Sequence, residues 1–240
     1  SSTITADSKD VILGKSGGTN FANSILIGHA TSGTLNAAEK NTGVGIDALD
    51  ALTSGDANTA LGYRAGSAMA AQGESVYVGV DAGYQTQGGN NTAVGAYAFK
   101  SSNNANSYEN TAIGSRALHS AGAGSAALRN VALGRDAGYG ITSGDYNVVL
   151  GYDSGDNITT GSGNVIIGTV DAAAVDSART LKIAGFDGST TTTWISGNEN
   201  GHLTFPDHVF VGNDLYLNSD NNVVTFGANF EIQLIHVHNE

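Results

Sequence analysis

Apolar residues fall two positions apart along this chain, and a glycine follows the second of each pair. Set on that glycine, the chain lines up at Gly14, Gly28, Gly45, Gly62, Gly79, Gly95, Gly114, Gly134, Gly151 and Gly168, with spacings of 14, 17, 17, 17, 16, 19, 20, 17 and 17 residues. One residue before it stand Leu13, Ile27, Val44, Leu61, Val78, Val94, Ile113, Leu133, Leu150 and Ile167, aliphatic throughout. Three before it stand Val11, Ile25, Thr42, Thr59, Val76, Thr92, Thr111, Val131, Val148 and Val165, β-branched throughout. A β-branched residue and an aliphatic one at period two is strand chemistry. The fixed period marks a solenoid.

Four before the glycine the side chain is short and polar: Asp10, Ser24, Asn41, Asn58, Ser75, Asn91, Asn110, Asn130, Asn147 and Asn164. Such residues bond nearby backbone groups at turns, so this column is expected to stack at a corner. The columns one and three before the glycine are expected to point into the coil. By that parity, the column two before it, with Gly43, Ala60, Ala93, Ala112 and Ala132 in its middle, faces out. An outer face of small or apolar residues needs cover, and those alanines become candidates for a contact between sister chains. A second wall is expected from Leu52, Ile141 and Ile158, beside Thr53, Thr142 and Thr159, with Thr86 at the same column. The reading is all-β: a parallel β-roll or solenoid of about ten 17-residue coils, each with two short strands. At ~4.8 Å per rung that makes a rod of roughly 45 Å. The longer spacings, across 100–109 and 119–128, read as loops.

Composition supports strands and turns over helices. Among 240 residues there are 34 Gly and one Pro, so turns fall to Gly, Asn, Asp and Ser. The 22 acidic and 10 basic residues give a net charge of -12, without a run of Lys or Arg, which argues against nucleic acid as a partner. No run reaches the ~18 apolar residues of a membrane-spanning helix, so no membrane insertion is expected. Cysteine is absent, which excludes disulfides and thiolate metal sites. The first residue is not Met, as in a processed or excised piece.

After residue 170 the period stops. The expected organisation is a lead-in over 1–9, the roll over 10–170, a transitional β segment over 171–200 with "DG" and "NENG" turns, and a β stem over 201–240. Strands as thin as those of the last segment usually need other chains to bury them.

The "NTAVG", "NTAIG" and "NVALGRDAG" repeats resemble the head repeats of trimeric autotransporter adhesins, although the period here is longer. That resemblance implies a left-handed parallel β-roll assembled as a homotrimer. The segments "GHLTFPDHVFVGNDLYL" and "FEIQLIHVHNE" resemble the stem of tailed-bacteriophage fibres just before a self-cleaving chaperone. The second resemblance implies a mature or trimmed tail fibre ending near Glu240, with an intertwined trimeric stem. It places the chain in an extracellular virion tail, with other tail proteins and a bacterial surface receptor, glycan or outer-membrane protein, as partners. The leading expectation is a non-enzymatic trimeric spacer and host-attachment element. The alternatives are a bacterial cell-surface adhesin and, in another class, a glycan-depolymerising tailspike.

Candidate chemistry is sparse. His236 and His238, two apart, would share one strand face, and three chains would offer six imidazoles to a divalent transition metal. The competing reading is a capped strand end. Asp47, Asp81, Asp136 and Asp153 recur two after the glycine, where Arg64 and Arg116 also stand, which suits rung-to-rung ion pairs better than a hydrolase's carboxylate pair. Tyr63, Tyr77, Tyr97 and Tyr152 have the chemistry to stack on sugars. Ice binding would need an outward array of threonines, but Thr42, Thr59, Thr92 and Thr111 belong to the column expected inside. Neither a phosphate loop nor a repeated calcium-binding Gly-Gly-x-Gly-x-Asp motif is present.

Overall fold

The computed structural model describes residues 14–16, 20–28, 35–100, 107–122, 126–206 and 209. The chain divides into a unit Ser1–Asp207 and a unit His208–Glu240, and the architecture below is that of the first.

Three-residue strands repeat with the sequence period: β1 (Gly14–Ser16), β2 (Ile25–Ile27), β3 (Thr42–Val44), β4 (Thr59–Leu61), β5 (Val76–Val78), β6 (Thr92–Val94), β7 (Thr111–Ile113), β8 (Val131–Leu133), β9 (Val148–Leu150) and β10 (Val165–Ile167). From β2 to β10 every neighbour is parallel and the register is one repeat, as in Thr42↔Thr59 and Val44↔Leu61. Nine rungs bound about eight coils of a parallel β-solenoid, a rod of roughly 38 Å at ~4.8 Å per rung. The first expected rung, at residues 11–13, lies outside the described residues, and β1, which follows it, pairs antiparallel with β2. The ladder passes the point where the period ends. Strand β11 (Leu181–Phe186) adds parallel to β10, and β12 (Thr191–Gly197) and β13 (Leu203–Thr204) then fold back antiparallel.

Each coil has one strand, where two were expected. The opposite wall is a run of turns whose amides still reach the next rung, as in Leu49 to Ala65, Ala51 to Ser67 and Thr53 to Ala70. These turns use left-handed residues at fixed offsets, including Asp47, Arg64, Asp81, Tyr97, Arg116, Asp136 and Asp153, with φ between 49° and 61°. Isolated side chains avoid that region, and it persists because the ladder fixes both neighbours. The repeat glycine has the stricter requirement. At Gly62 φ is +137°, and a Cβ would lie 2.5 Å from the carbonyl oxygen of Gly79 on the next rung.

The direction of the strand side chains reverses the expected parity. In every strand from β2 to β10 the middle residue is buried and its neighbours face outward. Ala60, Ala93, Ala112 and Ala132 are fully buried inside the roll, so they cannot serve as contacts with a sister chain. The reason is volume. The three inward positions of a coil trade volume with one another. Where the strand supplies Gly43, the turns supply Leu49 and Leu52; where it supplies Val149, they supply Gly155 and Ile158. Tyr77 is the extreme case. Its ring fills the coil, and glycines at 66 and 83 make room, since a Cβ at Gly83 would sit 2.3 Å from the ring. Burial pushes the Tyr77 phenol up to about 12, and its hydroxyl lies near Ser75, Asn91 and Thr86 without a well-aligned hydrogen bond.

Asparagine lines one inner edge. Asn41, Asn58, Asn91, Asn110, Asn130, Asn147 and Asn164 are all buried. The Oδ1 of Asn41 accepts the backbone N–H of Asn58, Asn91 serves Asn110, and the series runs through Asn130, Asn147 and Asn164 to Thr180. The amide nitrogens donate to carbonyls across the turn, as Asn130 does to Gly144 at 2.8 Å and Asn147 to Gly161 at 2.9 Å. Buried polar groups are stable when they are this fully paired.

Candidate functional site: the outer strand face and a cation–tyrosine stripe

Two surfaces of the roll carry chemistry. The first is the outside of the strand ladder. One column reads Ile25, Thr42, Thr59, Val76, Thr92, Thr111, Val131, Val148 and Val165; the parallel column reads Ile27, Val44, Leu61, Val78, Val94, Ile113, Leu133, Leu150 and Ile167. Leu61 and Leu133 are each half exposed, and Ile25, Val76, Ile113 and Val131 are more than a third exposed. One column of this face is aliphatic throughout and the other mixes aliphatic residues with threonines, each residue one rung from the next.

The outward threonines also change the ground for judging ice binding, because the column expected inside lies outside. Hydroxyls nevertheless do not form a continuous array. Valine or isoleucine interrupts Thr42, Thr59, Thr92 and Thr111 in their own column, and the second column carries none.

The second surface lies beyond the glycine corner. The residues one, two and five after the glycine stack rung on rung, which gathers cations that look scattered in the sequence. Arg64 holds Asp81 through two hydrogen bonds of 2.8 Å, and Lys100 reaches the same carboxylate at 3.3 Å. Further along, Arg116 Nη2 donates to Asp136 at 2.6 Å and Arg135 Nε lies 3.0 Å from it. Both aspartates are buried beneath their partners. These pairs hold the guanidinium groups of Arg64 and Arg116 more firmly protonated, through the hydrogen bonds first and the carboxylate charge besides.

Tyrosines alternate with these cations. Arg64 lies over Tyr63 and Tyr84, Lys100 over Tyr97 and Tyr84, Arg116 over Tyr139 and Arg135 over Tyr152, at 4.2 to 6.0 Å from the ring centres. His119 stacks on Tyr139 with ring centres 4.9 Å apart, and burial, helped by Lys100 and Arg116, lowers its pKa. Between Tyr139 and Tyr152 the stripe opens into a groove of about 270 Å³, lined also by Arg116, Arg135, Asp136, Asp153 and Asp156. Burial of the Asp156 carboxyl, its hydrogen bond with Asp171 and repulsion from Asp171, Asp153 and Asp136 push its pKa up to about 6.

The sequence candidates therefore separate. Tyr63, Tyr97 and Tyr152 are exposed on the stripe, whereas Tyr77 is core and cannot meet a ligand. Asp81 and Asp136 belong to ion pairs. Tyr84, Lys100, His119 and Tyr139 went unnoticed in the sequence; their common signal is an offset of five from the repeat glycine. His236 and His238 lie outside the described residues. Among the described residues no group of three or more His, Asp or Glu could hold a metal ion, and no helix is long and apolar enough to cross a membrane.

Comparison of the chain with family models, with curated proteins and with solved structures returns no match in any of the three.

Proposed function

We propose that this chain is a structural segment of a tail fibre: a homotrimeric rigid spacer that also serves in attachment to a host surface. The observation that carries the assembly is the outer strand face over nine rungs, one column wholly aliphatic and the other mixing aliphatic residues with threonines, with side chains up to half exposed. A soluble monomer rarely leaves an apolar strip of that length uncovered. Sister chains offer the same strip in the same register, and cyclic assembly would bury each against the next. The rung-to-rung ladder and the asparagine series supply stiffness along the axis, which is what a spacer requires. The choice of a tail fibre rests on the resemblance of the "GHLTFPDHVFVGNDLYL" and "FEIQLIHVHNE" segments to fibre stems. Attachment, rather than catalysis, fits a stripe whose buried carboxylates are tied up in ion pairs. Native mass measurement of the full chain tests the assembly: a trimer is expected, and a monomer persisting at micromolar concentration would overturn it.

A further inference from the structure

We infer that the groove between Tyr139 and Tyr152 is a binding site for a neutral polysaccharide. The two rings come from adjacent rungs and remain 37% and 49% exposed. Each has a neighbour from the preceding rung against it: His119 and Arg116 at Tyr139, Arg135 at Tyr152. Both rings border the groove, and so offer apolar plates held in place before any ligand arrives.

The polar groups between the plates suit hydroxyls. Asp136 fixes the Arg116 and Arg135 guanidinium groups, whose unused N–H groups donate, while Asp153 and Asp156, which also line the groove, accept. Donors and acceptors side by side match the vicinal hydroxyls of a pyranose, whose apolar face packs on an aromatic ring. Charge excludes the nearest competitor. The two arginines are outnumbered by Asp136, Asp153 and Asp156, and the whole chain carries -12, so an acidic glycan would meet repulsion. The stripe continues along the roll through Tyr97, Tyr84 and Tyr63, which gives an extended chain further platforms at the same repeat. The site deepens the attachment part of the proposed function and does not depend on the trimer.

The test is affinity electrophoresis of the full chain in native gels cast with dextran, galactomannan or laminarin, and with alginate as the acidic comparison. Retardation by at least one neutral polysaccharide is expected. Joint substitution Tyr139→Ala and Tyr152→Ala should weaken it about 10-fold or more. Arg135→Gln, at a side chain 54% exposed and outside the core, should weaken it while leaving the melting temperature unchanged. Tyr146→Ala, at a more exposed ring on another column, should have no effect. Absence of retardation by every neutral polysaccharide, retardation unchanged in the groove variants, or retardation by alginate alone would overturn the site. A trimer without polysaccharide binding would remove this inference and leave the spacer; a monomer with it would do the reverse.

Discussion

Asn130 Oδ1 accepts the backbone N–H of Asn147 at 2.9 Å and its side-chain Nδ2–H at 3.1 Å. One buried oxygen thus joins two coils, while the Asn130 amide nitrogen closes its own turn onto Gly144. Asn130→Ala would leave the Asn147 amide and the Gly144 carbonyl buried without partners, at a cost of about 2–4 kcal/mol. In a chain of this size that lowers the melting temperature by roughly 5–15 °C. Asn130→Ser should cost less, because Ser24 and Ser75 already fill this column and their hydroxyls accept from Asn41 and Asn91. Thermal melts of the two variants followed by circular dichroism check both size and order.

Tyr77 and Gly83 should behave as one unit. A methyl group at position 83 would strike the ring, and φ of +60° there adds backbone strain. Gly83→Ala alone is expected to cost about 1–3 kcal/mol, and Tyr77→Ala alone about 3–5 kcal/mol. In the double variant the alanine occupies space the ring vacates, so the combined loss should be smaller than the sum by about 1 kcal/mol or more. Denaturant unfolding of the four proteins measures that coupling, and simple additivity would contradict the shared-volume account of the core.

Such compensation also explains why the sequence revealed the solenoid but not its inside. The period, the strands and the asparagine column are visible because each recurs at a fixed distance from the repeat glycine. Parity was harder, since the strand residues on both sides of the sheet are apolar and hydrophobicity cannot choose between them. Size could have chosen. Tyr77 and Val149, two large residues of the middle column, are each followed six positions later by a glycine, Gly83 and Gly155, that leaves room for them. Asn147 and Val149, two apart, also share a side, and an asparagine bonded across a turn belongs inside. The stripe was hidden for another reason. Arg64, Lys100, Arg116 and Arg135 are 16 to 36 residues apart along the chain, and only coiling places them in one line.

The raised pKa of Asp156 gives a pH signature. Folding lifts this group from its ordinary value of 3.8 to about 6, so between those values the folded state keeps a proton that the unfolded state has released. Stability should therefore fall as pH rises from about 4 to about 6 and stay lower above it. Asp156→Asn removes the repulsion from Asp171, Asp153 and Asp136. The variant should melt higher than the parent at pH 7 and at nearly the same temperature at pH 3.5. A difference that does not change with pH would show that Asp156 does not titrate in this way.

The two sides of the strand can be separated by a pair of substitutions. Ala93 is fully enclosed, with Tyr77 and Ala112 above and below it in register, so Ala93→Leu must force extra volume into a filled coil. A loss of about 1–3 kcal/mol is expected, with no direct effect on assembly. Leu61 and Leu133 point away from that core and are each 50% exposed. Joint substitution Leu61→Ser and Leu133→Ser should leave the circular dichroism spectrum of the chain intact, because it removes little that folding itself buries. If sister chains cover this face, the same change takes apolar surface out of the contact and puts hydroxyls in its place, so native mass measurement should show a shift from trimer toward monomer. The opposite pattern, with assembly lost in Ala93→Leu and untouched in the serine variant, would place the interface elsewhere on the roll.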